Sequence, residues 1–144
     1  MDKLLMACRI VLSDTFVLYF KAHSHHWNVK GMEFSQLHDF FGDIYADAFG
    51  AVDGIAEQIR TLGEDAPKTL SELYQYKTLN EGNVAETAEQ MLQDLQIANA
   101  GVLDSLNIAM NLADEADEKG VSNFFQDRIE KHKKNAWMIG AHLK

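Results

Sequence analysis

Imidazoles and carboxylates in a suggestive arrangement mark this sequence. Three histidines crowd into His23-Ser24-His25-His26-Trp27, and His38 follows at the start of the next segment. Further on, Asp53 and Glu57 stand four residues apart, so on a helix both carboxylates project from one face a turn apart. Two carboxylates with one or two imidazoles form a donor set suited to iron(II). Carboxylate oxygens tolerate the change to iron(III), and imidazole raises affinity for the ferrous ion. Taken singly, such features are ordinary: an acidic pair at this spacing usually lies in solvent, and a lone histidine is usually structural. Three histidines in four residues beside a tryptophan shift that balance.

The elements that would position these groups read as helices almost throughout, with no alternating strand-like run. A first segment spans about Asp2 to Val29, with Leu4, Cys8, Val11, Thr15, Leu18, Ala22 and His25 recurring at steps of three and four. A second spans about Phe34 to Leu62 along Phe34, Leu37, Phe41, Ile44, Ala48, Val52, Ile55, Ile59 and Leu62. A third spans about Val84 to Ala113 along Val84, Ala88, Met91, Leu95, Ala98, Val102, Leu106, Ala109 and Ala113. A fourth spans about Ser122 to Leu143, with Phe125, Ile129, His132, Ala136 and Ile139 on one side. Lys30-Gly31, Gly63 with Ala66-Pro67, Glu81-Gly82-Asn83 and Lys119-Gly120 punctuate them.

The joint between the second and third segments is long enough to carry the chain back along a bundle. Within it, Thr69 and Glu72 read as a capping box opening a short helix through Tyr74. The expected fold is therefore all-α, a ferritin-like four-helix bundle with a long crossover between helices 2 and 3 carrying a short extra helix, occupying residues 1–144 as one domain.

At about 100° per residue, His38, Tyr45, Phe49, Asp53 and Glu57 form a second stripe on the second segment, away from its core row. A helix with two faces turned from solvent packs against two things, its own bundle and plausibly another subunit. His38 cannot meet Asp53 on one straight helix, since fifteen residues span ~22 Å. A shared site requires this helix from two antiparallel subunits, His38 of one meeting Asp53 and Glu57 of the other across a two-fold axis. His23 and His26 share a face, whereas His25 points along the core row and reads as a packed or hydrogen-bonded core residue.

Composition narrows the classes. Hydrophobic residues make up 47% of the 144, enough for a real core, and the single proline leaves long helices uninterrupted. Thirteen basic against 22 acidic residues give a formal charge of −9, which repels nucleic acid and membrane phosphates and attracts cations. With one cysteine, Cys8, there can be no intrachain disulfide, and its place on the core row reads as an inert buried thiol. No apolar run approaches a membrane span and no signal peptide is evident, so the expectation is a soluble cytoplasmic protein.

The run His26-Trp27-Asn28-Val29-Lys30-Gly31, followed by Phe34, Leu37-His38, Asp53-Gly54-Ile55-Ala56-Glu57 and Leu62-Gly63, resembles the signature of the Dps family of miniferritins. His132-Lys133-Lys134 and Trp137-Met138-Ile139 resemble that family's last helix, so the resemblance covers nearly the whole chain. It implies a dodecameric hollow shell with ferroxidase sites shared between subunits, His26 and His38 from one and Asp53 and Glu57 from its partner, with Trp27 beside them. It implies iron(II) oxidation, generally by hydrogen peroxide, and storage of ferric mineral. Acidic residues near Asp114 and Asp117 would line entry pores; the competing reading is a solvated helix end.

The sequence departs from that pattern. The usual carboxylate four residues after the second histidine is Gly42, and Asp43 is rotated ~100° further round. Asp43 through a local helix distortion, a water, or His23 could substitute. Gln58 stands where arginine is usual, with Arg60 nearest, and Asn123 where aspartate is frequent. A metal-binding cage with an impaired ferroxidase site is therefore the main competitor, and a shell that binds no metal the third possibility. Members that bind DNA use lysine-rich extensions, which this chain lacks at its start, so only weak DNA binding is expected. Trp137 and Met138 read as packing residues.

Overall fold

The computed structural model describes residues 1–82 and 84–144. Asn83, assigned above to the opening of the third segment, lies outside the described residues. The helices are α1 (Asp2–Asn28), α2 (Phe34–Thr61), α3 (Leu70–Tyr74), α4 (Ala88–Glu115) and α5 (Lys119–His142), and there is no strand among the described residues. None of these helices is long and apolar enough to cross a membrane.

The helix ends follow from capping chemistry. Gly31 and Gly63 take positive φ values of 113° and 96°, which a side chain would resist. At Gly63 the chain closes α2 as a Schellman turn, with the amide of Glu64 bonded to the carbonyl of Ile59 and that of Gly63 to Arg60. Thr69 caps α3 by accepting from the amide of Glu72, while the Glu72 carboxylate reaches back to the amide of Lys68. The third long helix starts at Ala88 rather than Val84. Thr87 and Gln90 form a full capping box there, and Val84 stands outside it, 85% exposed. The last joint also differs from expectation. Asp117, not Gly120, takes the left-handed position (φ 58°), with Glu118 N–H bonded to Ala113 and Asp117 N–H to Asp114. Aspartate tolerates that conformation better than most residues, so α5 begins at Lys119 and absorbs Gly120.

α1 packs against both α2 and α4, and α4 against α5. Lys21 and His25 near the end of α1 meet Asp94 near the start of α4. The crossover of residues 62–87 has thus returned the chain to the end of the bundle where α2 began. All seven residues of the α1 row are buried. On α2 the row from Leu37 to Ile59 is inward, but Phe34, in the first turn, is 43% exposed. Cys8 is fully buried, and desolvation pushes its thiol pKa up to about 12.

Two buried polar networks lock the bundle. Asp14, fully buried on α1, accepts from the amide and hydroxyl of Thr78 (2.7 and 2.6 Å), the amide of Leu79 (3.2 Å) and the hydroxyl of Ser105 (2.6 Å). One carboxylate therefore ties the crossover to α1 and α4. Ser13 adds a hydrogen bond to the carbonyl of Leu73. Across the bundle, Arg128 grips Asp47 with two hydrogen bonds (3.1 and 2.8 Å) and donates to His132 Nε2 (3.1 Å). Guanidinium can only donate, so Nε2 accepts and Nδ1–H donates to Asn99 Oδ1 at 2.9 Å. Burial, reinforced by the charge of Arg128, lowers the His132 pKa to about 3 and keeps it neutral. Burial also works against ionisation of Asp47, but the Arg128 pairing outweighs it and holds that carboxyl below its ordinary range.

Trp137 departs from the packing expectation: it is 69% exposed, because it falls off the Phe125–Ile139 row, while Met138 is half-buried.

Candidate metal centre

The short turn after α1 folds α2 back along it, bringing His26 and His38 face to face. Their rings stack with centroids 3.7 Å apart and planes 19° from parallel. Each Nδ1 meets the other residue's main-chain carbonyl, His26 Nδ1 to His38 O at 2.6 Å and His38 Nδ1 to His26 O at 2.8 Å. A carbonyl can only accept, so each Nδ1 carries the proton, and in the neutral ring each Nε2 presents a lone pair. Metal-ligating histidines are commonly oriented in this way, the second nitrogen donating to a fixed acceptor. Phe34 continues the stack at 5.1 Å from His38.

The surroundings are aromatic. His23 lies flat on Tyr45 (3.8 Å, 5°), 6.1 Å from His26 and 4.1 Å from Trp27. Its Nδ1 is 2.9 Å from the Tyr19 hydroxyl. Desolvation, with the adjacent His26, lowers the His23 pKa below its ordinary 6.5. Tyr19 also packs on Phe49 at 4.9 Å. Trp27 and Phe49 are 57% and 55% exposed, so an aromatic stripe runs along the α1–α2 pair from its turn to the middle of α2. His25 belongs elsewhere: it is buried, and its Nε2 pairs with Asp94 at 2.8 Å. Burial resists ionisation of Asp94, but hydrogen bonds from His25 and Lys21 prevail and depress its pKa.

Gly42 lies beneath His26. A Cβ placed there would stand 3.2 Å from His26 Nδ1 and 3.3 Å from Cε1. α2 runs as unbroken α-helix through this point, and Asp43 remains exposed. The helix distortion that would bring Asp43 round to the site is absent.

The structure brings His26 and His38 together and leaves Asp53 and Glu57 apart from them. Both carboxylates are exposed on α2 and have no ion-pair or hydrogen-bond partner among the described residues. No group of three or more candidate metal ligands exists within the chain among the described residues. Gly54, between the two acids, accommodates the ring of Phe124, which would lie 2.6 Å from a Cβ there. Asp114 accepts from the Ser122 hydroxyl (2.5 Å), and Asp117 lies 3.4 Å from the Lys119 ammonium, both as parts of the α4–α5 turn.

Sequence reasoning missed the mutual hydrogen bonding of His26 and His38. The signal was present in their positions on either side of a glycine turn, but only a folded helical hairpin reveals that each ring reaches the other's backbone.

Four long helices joined by two short turns and one crossover, with paired imidazoles at one end, define a ferritin-like protein. The family model of the ferritin-like domain matches residues 9–144. The DNA protection during starvation protein of Brevibacillus brevis is 33% identical over 133 residues, covering 92% of this chain and 89% of that protein. Among solved structures, the Dps protein of Vibrio cholerae O1, described as a member of a broad superfamily of ferritin-like diiron-carboxylate proteins, superposes with a TM-score of 0.93 at 29% identity, covering 99% of this chain and 90% of that one. Dps from Staphylococcus aureus gives a TM-score of 0.93 at 27% identity, covering 100% and 97%. The chain belongs to the Dps family.

Proposed function

We propose that this protein is a miniferritin: a single ferritin-like domain, residues 1–144, that assembles as a hollow homo-oligomer, expected to be dodecameric, and binds and oxidises iron(II) at sites shared between subunits. His26 and His38 of one subunit and Asp53 and Glu57 of its partner are the proposed ligands. The observation that carries this reading is the pair of imidazoles, His26 from α1 and His38 from α2, with both Nε2 atoms available beside an aromatic surface, and two exposed carboxylates further along α2, Asp53 lying ~22 Å from His38. A two-fold axis between copies of α2 would convert that separation into adjacency. Carboxylates must be ionised and imidazoles neutral to ligate, so iron binding weakens in acid. Peroxide takes the electrons from iron(II) and leaves as water, and the ferric product is retained inside the shell. The role belongs in the cytoplasm, where the lone thiol needs no pairing.

A second reading is a cage that binds metal without efficient oxidation, and Gly42, with α2 unbroken around it, is the observation that favours it. Stopped-flow absorbance after mixing the protein with iron(II) and hydrogen peroxide separates the two. The ferroxidase reading predicts oxidation well above the buffer rate, with loss in Asp53→Asn and Glu57→Gln. Oxidation at the buffer rate with metal still bound leaves the cage.

DNA is not a favoured partner, because a formal charge of −9 opposes phosphate contacts. A low-salt gel shift should show no tight, salt-sensitive complex near neutral pH.

A further inference from the structure

We infer that His23 is a third nitrogen ligand of the shared metal site, so that each subunit contributes imidazoles where the missing carboxylate at Gly42 would have supplied oxygen. This rests on the shared-site reading above. Asp43 stays in solvent on an undistorted helix. His25 is committed to Asp94. Gly42 itself offers only a shallow seat, and the His26 ring occupies it.

His23 meets the geometric requirements. It is one turn before His26 on the same face of α1, and the two ring centroids are 6.1 Å apart, tilted by 57°. Imidazole nitrogens lie about 2.0–2.1 Å from a bound ion, which places two rings sharing that ion about 5–6 Å apart between centres. The His23–His26 separation is close to that range, while within one chain the three imidazoles do not form a ready-made cluster among the described residues. The ring is also held: Tyr45 stacks on one face and the Tyr19 hydroxyl meets Nδ1 at 2.9 Å. The Tyr19 hydroxyl can accept from Nδ1–H, and in that tautomer, the one the main chain imposes on His26 and His38, Nε2 is the ligating atom.

The consequence is a nitrogen-rich site. Imidazole suits borderline divalent cations such as zinc and cobalt(II) as well as iron(II), whereas ferric iron prefers oxygen donors. The site therefore holds divalent ions more firmly, relative to ferric iron, than one with a carboxylate at position 42.

The test is cobalt(II) binding by the assembled protein, followed by calorimetry and by the visible d–d absorption of the bound ion. His23→Asn keeps a polar atom near Nδ1 for Tyr19 but removes Nε2. It should weaken cobalt binding about ten-fold or more and alter the absorption bands, with the assembly unchanged by light scattering. Wild-type affinity and spectrum in His23→Asn, with binding lost in His26→Ala, overturn the role of His23 and leave the shared site standing. Unchanged binding in His23→Asn, His26→Ala and Asp53→Asn alike removes the shared-site reading as well. X-ray absorption of the wild-type and His23→Gln proteins, each loaded with one zinc per subunit, gives a second check. A zinc shell that loses an imidazole contribution in His23→Gln supports the inference, and an unchanged shell overturns it.

Discussion

His26 and His38 hold one another: each Nδ1–H ends on the other's main-chain oxygen, at 2.6 and 2.8 Å, while the rings stack at 3.7 Å. Neither side chain is oriented independently. Replacing one with alanine leaves its main-chain carbonyl to accept from the other ring but removes the face on which that ring stacks at 3.7 Å. In a double-mutant cycle on zinc affinity, His26→Ala and His38→Ala should therefore be non-additive, with a coupling of about 0.5–3 kcal/mol. Strict additivity by calorimetry would show that each ring is oriented on its own.

Gly42 gives a prediction with two opposite signs. Glycine inside a helix costs up to about 1 kcal/mol relative to alanine, so Gly42→Ala should raise stability in urea unfolding. The added Cβ would also press on the His26 ring at 3.2 Å, and that ring is pinned by its bond to His38. Metal affinity should fall in the same variant. A rise in both, measured on one preparation, would mean that His26 can move aside freely. Gly42→Asp adds an oxygen donor, and a large gain in iron oxidation rate there would identify the natural site as impaired.

Asp14 on α1 should be the most costly single residue to lose among those that hold the crossover. Its carboxylate accepts four hydrogen bonds from Thr78, Leu79 and Ser105 in a fully buried position. Asp14→Ala strands those donors, and the expected loss is about 3–5 kcal/mol, the range for breaking a buried charged network. Hydrogen exchange should show earlier opening at Thr78 and Leu79 than at α2. A loss below about 1 kcal/mol would mean that water replaces the carboxylate.

Acid should destabilise the fold in two stages. His132 has an ordinary pKa of 6.5 and a folded value of about 3. Between these values the unfolded chain binds the extra proton, so stability rises with pH. The contribution is fully present above 6.5 and is lost as the pH falls from there towards 3. Asp47 and Asp94, whose folded values lie below the ordinary 3.8, contribute stability above that value and lose it only at still lower pH. Unfolding midpoints between pH 7 and 4 should therefore fall more steeply for the wild type than for His132→Gln. Parallel slopes would place the acid sensitivity elsewhere.

Much of the fold was legible because its information is local and periodic. The row from Leu4 to His25 is wholly buried, as its spacing required. His25 is the hydrogen-bonded core residue that its place on the row indicated. Errors fell where apolar character outran the helix. Val84 continues the spacing of α4, but the Thr87–Gln90 capping box stops the helix short of it. Gly120 looked like the joint, yet the Schellman turn closes on Asp117, since the hydrogen bonds of the preceding carbonyls fix which residue turns left-handed. Asp14 carried no signal at all: its partners are more than sixty residues away and become neighbours only once the crossover is laid down. At the candidate metal centre, the histidines could be named from sequence, but their tautomers could not, because these depend on backbone oxygens across a turn.

The burial of Cys8 has a bearing on survival. Peroxide attacks thiolate, and a thiol with a pKa near 12 offers almost none at neutral pH. A protein that works among oxidants would thus have its only sulfhydryl sealed away from them, slow to form sulfenic acid or to cross-link with its neighbours. Damage would fall first on exposed thioethers such as Met6 and Met32, on the outside of the chain, where a sulfoxide disturbs no core.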